Sequence, residues 1–512
     1  MRRRFSMIIV IAAMMTVLIP HSVFGEDSTV RVGTPDALKN AVESANSTDT
    51  TTIVLEADIA LSEGIAIDGS KKIILDLNGN TLSAPNRVLA INSGYFEVVG
   101  PGEIKEEEAY YAPIVIKGSS NQGDTDYTTV KIGEGVTLEG WSGVFITPYQ
   151  SSGAPYAYGV TVDIDCIIKS VTDTEGSAGH GVYINGQIKN TDSNYPVFNI
   201  GENAVIESEG TGVYAAGYAE WNIDGADIRG DVGIALKSGK FFINDAVITG
   251  TGEYVDPIGY NGNGIDTDGS AMLIDSNKDY AGNVEIAVSG NTVFNSENSK
   301  AISEFVTYNP NNATSAENKG TNIISFSIEG GVFNGADGRE AVKFSDEAKA
   351  EDAISISAGT FSSEPDEAYI DSNTTAILTS GGVTTYLVGP EVISSYLENG
   401  KSGDVLEITS AAEGTEFVNV PDGIKIENAT ETDILINGQE LKAGESLNVS
   451  SPQNPSEPAD QPSDKPQQGE PADGKAPETG DDTNLGLLAG IMLTAAAAGA
   501  AAIALRRKES RA

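Results

Sequence analysis

The chain has 512 residues, and its 74 acidic against 31 basic residues give a formal net charge of −43. So acidic a surface repels nucleic acid and anionic lipid, which excludes functions that depend on binding nucleic acid. Cys166 is the only cysteine, so an intramolecular disulfide is excluded as well. A hydrophobic core must therefore hold the fold together, and the chain is long enough to build one.

The first 25 residues have the three parts of a secretory signal peptide. Arginines at 2–4 are followed by an apolar run at 7–19 and by a short segment that ends in glycine. This order predicts export, with cleavage between Gly25 and Glu26. A membrane anchor is the alternative, but the apolar run is short for a bilayer and ends at Pro20.

The next segment, 26–390, is rich in glycine, asparagine and β-branched residues. Its first element is a predicted amphipathic helix at 34–45, in which Thr34 is the N-cap and Pro35 takes the first helical position. Short runs of alternating apolar and polar residues follow, separated by Gly, Asn and Asp, and each run predicts a strand. A single helix before many strands is typical of an end cap.

A repeat is present among these strands. Seven segments share Gly or Ala at the second position, usually followed by branched or aromatic residues: SGVFI at 142–146, HGVYI at 180–184, TGVYA at 211–215, VGIAL at 232–236, NGIDT at 263–267, KAISE at 300–304 and EAVKF at 340–344. Units of this size cannot bury an apolar face alone, but stacked units share a continuous core. The repeat therefore predicts a solenoid with variable loops on its sides.

The cap helix and the segment ILDLNGNTL at 74–82 resemble the right-handed parallel β-helix of the pectate lyase superfamily, over about residues 50–380. The resemblance implies an all-β fold, a right-handed parallel β-helix with an N-terminal cap helix, and it carries little information about activity. Residues 391–449 repeat the order of helix, turn and alternating strands. We interpret them as a C-terminal cap or small β module, with a separate adhesion domain as the alternative.

The C-terminal segments combine a linker with a sorting signal. Residues 450–475 are rich in proline and polar residues and predict a semi-extended linker that spans the cell wall. An apolar run at 485–505 is long enough for a transmembrane helix, and basic residues follow it. A short motif precedes this run: Ala476, Pro477, Glu478, Thr479 and Gly480.

Residues 476–512 resemble the LPXTG-type sortase sorting signal of Gram-positive surface proteins, with Ala476 in place of the usual leucine. The resemblance implies that a sortase cuts between Thr479 and Gly480. It also implies that the Thr479 carboxyl is then joined covalently to an amine of peptidoglycan.

His180 lies in a Gly-His-Gly segment, which also occurs in the polygalacturonase family. In that family Asn-Thr-Asp and Asp-Asp precede this segment and Arg-Ile-Lys follows it, whereas here Asn-Thr-Asp comes afterwards, at 190–192, and Arg-Ile-Lys does not occur. Other copies of the repeat carry Ser, Thr, Val, Asn, Lys or Glu in the place of His180, which favours a solvent-facing position. We therefore predict a surface histidine and no catalytic residue.

Asp275, Asn277 and Asp279 place oxygen ligands at alternate positions, as calcium-binding loops do. Tyr280 stands where such a loop has glycine, and Ile286 where it has glutamate. A solvated turn is therefore favoured over calcium binding, and no cofactor is predicted.

Two predicted loops carry paired tyrosines, Tyr110 with Tyr111 and Tyr156 with Tyr158. Exposed tyrosines beside acidic and amide groups can stack on sugars or contact a protein, so these four are candidates for ligand binding. Packing of each loop onto the solenoid is the alternative.

Together these features predict an exported protein that is anchored to the wall of a Gram-positive bacterium and displays a β-helix. Its predicted function is adhesion, or binding of a host or glycan ligand through side loops. A polysaccharide lyase or glycoside hydrolase is the first alternative, and a structural stalk is the second.

Overall fold

A computed structural model describes residues 28–148, 155–189, 191, 193–256, 258–259, 266–307 and 320–450. The predicted cleavage site at Gly25 and Glu26, the linker beyond residue 450, the motif at 476–480 and the apolar run at 485–505 lie outside the described residues. Within the described ranges, no helix is both long enough and apolar enough to cross a membrane.

Most of the described chain consists of short strands stacked in three parallel arrays. Sheet 1 contains Ser28–Val32, Thr51–Leu55, Lys72–Asp76, Gly94–Val99, Thr128–Ile132, Val160–Ile164, Val197–Ile200, Glu220–Asp224, Gly239–Asn244, Val284–Ser289 and the first parts of Ile323–Asn334 and Ile354–Phe361. Sheet 2 contains Ile59–Ala60, Thr81–Ala84, Gly102–Glu106, Val136–Gly140, Ile167–Ser170, Val205–Ser208, Asp227–Gly230, Val247–Gly250, Val293–Ser296 and the ends of the same two long strands. Sheet 3 contains Ile65–Ile67, Leu89–Ile91, Ile114–Lys117, Val144–Thr147, His180–Ile184, Thr211–Ala215, Val232–Leu236, Met272–Ser276, Ile302–Val306 and Val342–Lys343.

Each turn of the chain adds one strand to each sheet, and each strand pairs in parallel with the strand one turn later. In sheet 1, for example, Ile53 lies opposite Leu75, and Leu75 lies opposite Val98. Sheet 3 holds ten strands in the described residues. This is the pairing pattern of a parallel β-helix or solenoid, so the predicted fold class is confirmed at that level.

Alternating side chains of each strand fill the interior of the solenoid. In Gly239–Asn244, Phe241 is fully buried, whereas its neighbour Phe242 is 44% exposed because successive side chains point to opposite faces of a sheet. Equivalent inward positions stack from turn to turn. The ring centroids of Phe198 and Trp221 are 3.9 Å apart, and those of Trp221 and Phe241 are 5.7 Å apart.

A column of glycines lies at the start of four successive sheet 3 strands, at Gly143, Gly181, Gly212 and Gly233. A Cβ on Gly212 would lie 2.6 Å from the carbonyl oxygen of Gly233 and 2.6 Å from a methyl group of Ile228. Real Cβ atoms essentially never make contacts this close, so a side chain at Gly212 would force the neighbouring turn to shift. The repeated Gly in the sequence thus has a packing cause.

Gly212→Ala is expected to lower the free energy of unfolding by about 1–3 kcal/mol, because the added methyl group must displace backbone of the next turn. Urea unfolding followed by circular dichroism measures the loss. Gly33→Ala is the matched control, since the nearest atom to its Cβ would be 3.9 Å away. Equal stability losses in the two variants would contradict the close packing of the column.

Six of the seven repeat segments contribute to sheet 3, but the predicted member at 263–267 is wrong. Ile234 pairs with Met272 in the next turn. The segment that begins at Ser270 therefore occupies this place, with Ala271 in the position of the glycine. The segment at 263–267 resembles the repeat in sequence, but its fifth residue is Thr267. In other turns the fifth position is a core position, held by Ile184 or Leu236.

The helix Pro35–Ser44 packs against the first turns of the solenoid, as predicted. The Thr34 hydroxyl accepts a hydrogen bond from the Ala37 N–H at 3.3 Å, which caps the helix. Leu38 and Val42 are buried and belong to the main core. Two short helices follow much later, at Asp346–Ala350 and, as a 3₁₀ turn, at Glu367–Tyr369.

The C-terminal residues have a second core. Ala376, Leu378 and Leu387 belong to it, although they precede the predicted boundary at 390/391, and Ile393 and Leu397 join it from the helix Pro390–Asn399. The strands of this part are Thr375–Ser380, Val383–Val388, Val405–Ser410, Glu416–Phe417, Lys425–Asn428, Ile434–Ile436, Gln439–Leu441 and Ser446–Asn448.

Candidate ligand-binding cleft

A cleft of about 820 Å³ lies on the outer face of sheet 3, within the size range of small-molecule sites. Tyr183, Tyr214, Ala235 and Leu273 form its floor and lie opposite one another in successive turns. They face outward because the residues on either side of them in each strand point into the core.

Tyr111, Phe145, Tyr183 and Tyr214 form a continuous row along the sheet, here called the aromatic ladder. The Phe145 and Tyr183 ring centroids are 4.5 Å apart, and those of Tyr183 and Tyr214 are 5.4 Å apart, with planes within 13° of parallel. Tyr111 meets Phe145 edge-to-face at 5.3 Å. Parallel rings at these separations are offset, so each leaves part of its face uncovered by its neighbour.

Apolar side chains pack against both ends of the ladder, and among the described residues its middle stays open. At one end Ala112 and Tyr111 pack with Phe145. At the other end Ile258 packs with Leu273 and the neighbouring apolar side chains of sheet 3. Tyr183 and Tyr214, between these two clusters, are half-buried and line the cleft.

The prediction that His180 is a solvent-facing position holds only in part, because the residue is half-buried and its ring packs against three aromatic side chains. Its ring centroid lies 4.7 Å from that of Tyr214, 5.1 Å from that of Tyr183 and 5.6 Å from that of Trp141. Burial lowers the pKa of His180 to about 4, because desolvation disfavours the imidazolium. The ring is therefore neutral at physiological pH, and it lines the cleft.

Lys237, Asp275 and Tyr280 line the opposite end of the cleft. The Lys237 ammonium is 4.0 Å from an Asp275 carboxylate oxygen, 5.2 Å from the Tyr280 ring centroid and 5.8 Å from that of Tyr214. These contacts offset the free-energy cost of removing the Lys237 ammonium from water. The same carboxylate accepts hydrogen bonds from the hydroxyls of Tyr280, at 2.7 Å, and Thr307, at 2.6 Å.

Of the three calcium candidates, Asp275 lines this end of the cleft, Asn277 is buried at the start of a turn, and Asp279 lies exposed in that turn, as predicted for a solvated turn. Asp275 and Asn277 are buried, and their oxygens accept hydrogen bonds from protein donors, including the Asp279 N–H at 2.8 Å from the Asn277 oxygen. The Asn277 amide donates to the Thr307 carbonyl at 2.7 Å. Among the described side chains, no group of three or more His, Cys, Asp or Glu is arranged to hold a metal ion.

The four predicted ligand-binding tyrosines lie outside the cleft lining. Tyr111 belongs to the aromatic ladder, and Tyr158 is buried and stacks on Tyr156 with centroids 5.2 Å apart. Packing of the loops, the alternative interpretation, therefore describes Tyr111 and Tyr158, whereas Tyr110 stays a predicted ligand contact. Tyr110 is 68% exposed.

Five of the side chains that shape the cleft were not among the predicted site residues: Trp141, Tyr183, Tyr214, Lys237 and Tyr280. A signal for two of them was present. Tyr183 and Tyr214 hold the fourth position of their repeat segments, as Phe145 does. Because side chains alternate along a strand, the fourth position lies on the outer face of the sheet when the third and fifth positions are in the core.

No model of a known protein family and no curated protein sequence matches this chain.

Proposed function

We propose that this protein is an exported, wall-anchored surface protein whose solenoid binds a glycan in the cleft on sheet 3. The observation that carries the proposal is the pair of half-buried, offset tyrosines, Tyr183 and Tyr214, at the floor of that cleft. Uncovered aromatic faces are suited to the apolar faces of sugar rings. Asn185, Gln187 and Thr211 in the same lining supply neutral donors and acceptors for hydroxyl groups.

A binding site fits the cleft better than a hydrolase or lyase site. Glycoside hydrolysis requires two carboxyl groups, one of which gives up a proton. The lining holds Asp266 and Asp275, but both Asp275 oxygens already accept hydrogen bonds, from Tyr280 and Thr307, and the carboxylate lies beside Lys237, so it is engaged within the protein. A purely structural stalk would leave the open part of the aromatic ladder without a role.

Tyr214→Ala is expected to weaken glycan binding about tenfold. Loss of one aromatic contact costs about 1.5 kcal/mol, and 1.4 kcal/mol corresponds to a factor of ten in affinity. A glycan array identifies the best neutral oligosaccharide, and calorimetric titration of the purified protein then gives the dissociation constants. Tyr110→Ala is the matched control, because this exposed tyrosine lies outside the cleft. Equal affinities of the Tyr214→Ala variant and the unchanged protein would contradict the proposal.

The proposed anchoring depends on residues outside the described part of the chain. If a sortase joins the Thr479 carboxyl to peptidoglycan, Thr479→Ala is expected to leave the protein in the membrane fraction. Fractionation of cells after boiling in detergent measures this, with Thr483→Ala as the control three residues beyond the motif. Continued recovery of the Thr479→Ala variant with peptidoglycan would contradict sortase anchoring.

The right hand of the solenoid is also part of the proposal. It is supported by the rule that crossovers between parallel strands of one sheet are right-handed in nearly all proteins.

A further inference from the structure

The positive charge of the cleft is already neutralised within the protein. Lys237 is held by Asp275 and lies against the rings of Tyr214 and Tyr280. A cation that is compensated in this way contributes little attraction for an incoming anion, because the nearby carboxylate cancels most of its field. Asp266 lies exposed on the same lining and adds a negative charge.

His180 contributes a neutral group. Its Nδ1 is buried and has no hydrogen-bond partner in the described part of the chain. We assign the proton of the neutral ring to Nε2, because a buried N–H without an acceptor is rarer than an unpaired lone pair. The neutral ring thus carries a single N–H, which is suited to a hydroxyl, ether or carbonyl oxygen of a ligand.

The remaining polar groups of the lining are also uncharged. Asn185, Gln187, Thr211 and Thr267 surround the tyrosines, and amides and hydroxyls both donate and accept hydrogen bonds as sugar hydroxyls do. Beyond the cleft, the formal net charge of −43 repels polyanions over a distance that depends on ionic strength.

From these observations we infer that the cleft takes an uncharged, hydroxyl-rich saccharide and discriminates against uronate and sulfated glycans. The inference rests on the proposed function, since it specifies the ligand class of the same site. It also separates this protein from β-helix proteins that act on acidic polysaccharides.

The test uses the purified full chain and paired hexasaccharides: neutral gluco-, manno- and galacto-hexaoses, and the same sugars oxidised at C6 to uronates. Calorimetric titrations at 20 mM and 300 mM NaCl give the affinities. We expect at least one neutral hexasaccharide to bind, with less than a twofold change between the two salt concentrations. Its uronate counterpart should bind at least tenfold more weakly at 20 mM NaCl, and the difference should shrink at 300 mM because salt screens the repulsion.

Asp266→Asn is expected to reduce the discrimination at 20 mM NaCl at least threefold, because it removes the exposed negative charge of the cleft lining. Glu63→Gln removes an exposed carboxylate at the first turns of the solenoid, far from the cleft in the chain order, and serves as the control for net charge. Uronate binding as tight as neutral binding would overturn the inference and leave the proposed function standing. Failure of both classes to bind would overturn the proposed function itself and this inference with it.

Discussion

Replacing Phe241 by alanine is expected to lower the free energy of unfolding by about 3–5 kcal/mol. The Phe241 ring is fully buried and continues the stack of Phe198 and Trp221 through successive turns. Truncation removes its contacts and leaves a cavity between turns, and the paired backbones above and below cannot close that cavity. Urea unfolding, followed by circular dichroism and fitted for both midpoint and slope, measures the loss.

Phe242 provides the matched control for this prediction. It is the next residue of the same strand and has the same side chain, but it is 44% exposed on the outer face. Phe242→Ala is expected to cost less than about 1 kcal/mol, because little area leaves contact with protein. Similar losses for the two variants would mean that the strand does not separate core from solvent as described.

The stability of the protein is expected to depend on pH through His180. Its pKa is about 4 in the folded protein, against about 6.5 in an unfolded chain. Above pH 6.5 neither state binds a proton at this position, so its contribution is fully present. Between pH 6.5 and about 4 the unfolded state binds a proton at His180 and the folded state does not. The free energy of unfolding therefore falls as the pH is lowered. Below about pH 4 both states are protonated and the loss stops.

For a change from pH 7.5 to 4.5, the loss due to His180 is expected to be about 2.5 kcal/mol. His180→Phe keeps an aromatic ring between Trp141, Tyr183 and Tyr214 but cannot titrate. Carboxylates titrate in both proteins, so the difference between their stability profiles isolates the histidine. Tyr183 does not interfere, since burial raises its pKa to about 12. A constant difference between the two profiles across this pH range would contradict the buried, neutral histidine.

The stacked fold could be predicted because its cause is local and repeated. Alternating apolar residues, Gly or Ala at strand starts, and turn residues recur from unit to unit, so an error in one unit leaves the others intact. The error at 263–267 illustrates this: the glycine matched, but Thr267 is too polar for a core position that Ile184 and Leu236 hold in other turns.

The cleft could be predicted only in part, because it depends on contacts between turns. His180 is enclosed by Tyr183 from its own turn, Tyr214 from the next, and Trp141, which precedes the Val144–Thr147 strand. A comparison of single positions across the repeat treats each side chain alone, and so it assigned His180 to the surface. Likewise, the partners of Asp275 include Thr307, which lies 32 residues away along the chain.

The two tryptophans of the chain provide the most direct test of binding in the cleft. Trp141 lines the cleft, whereas Trp221 is fully buried in the core. Titration with the neutral oligosaccharide that binds best should change the tryptophan emission in a saturable way, with the same midpoint as calorimetry. In the Trp141→Phe variant this change should be abolished, while the emission of Trp221 remains. Calorimetric saturation without any change in Trp141 emission would place the ligand elsewhere on the protein and contradict the assignment of the cleft.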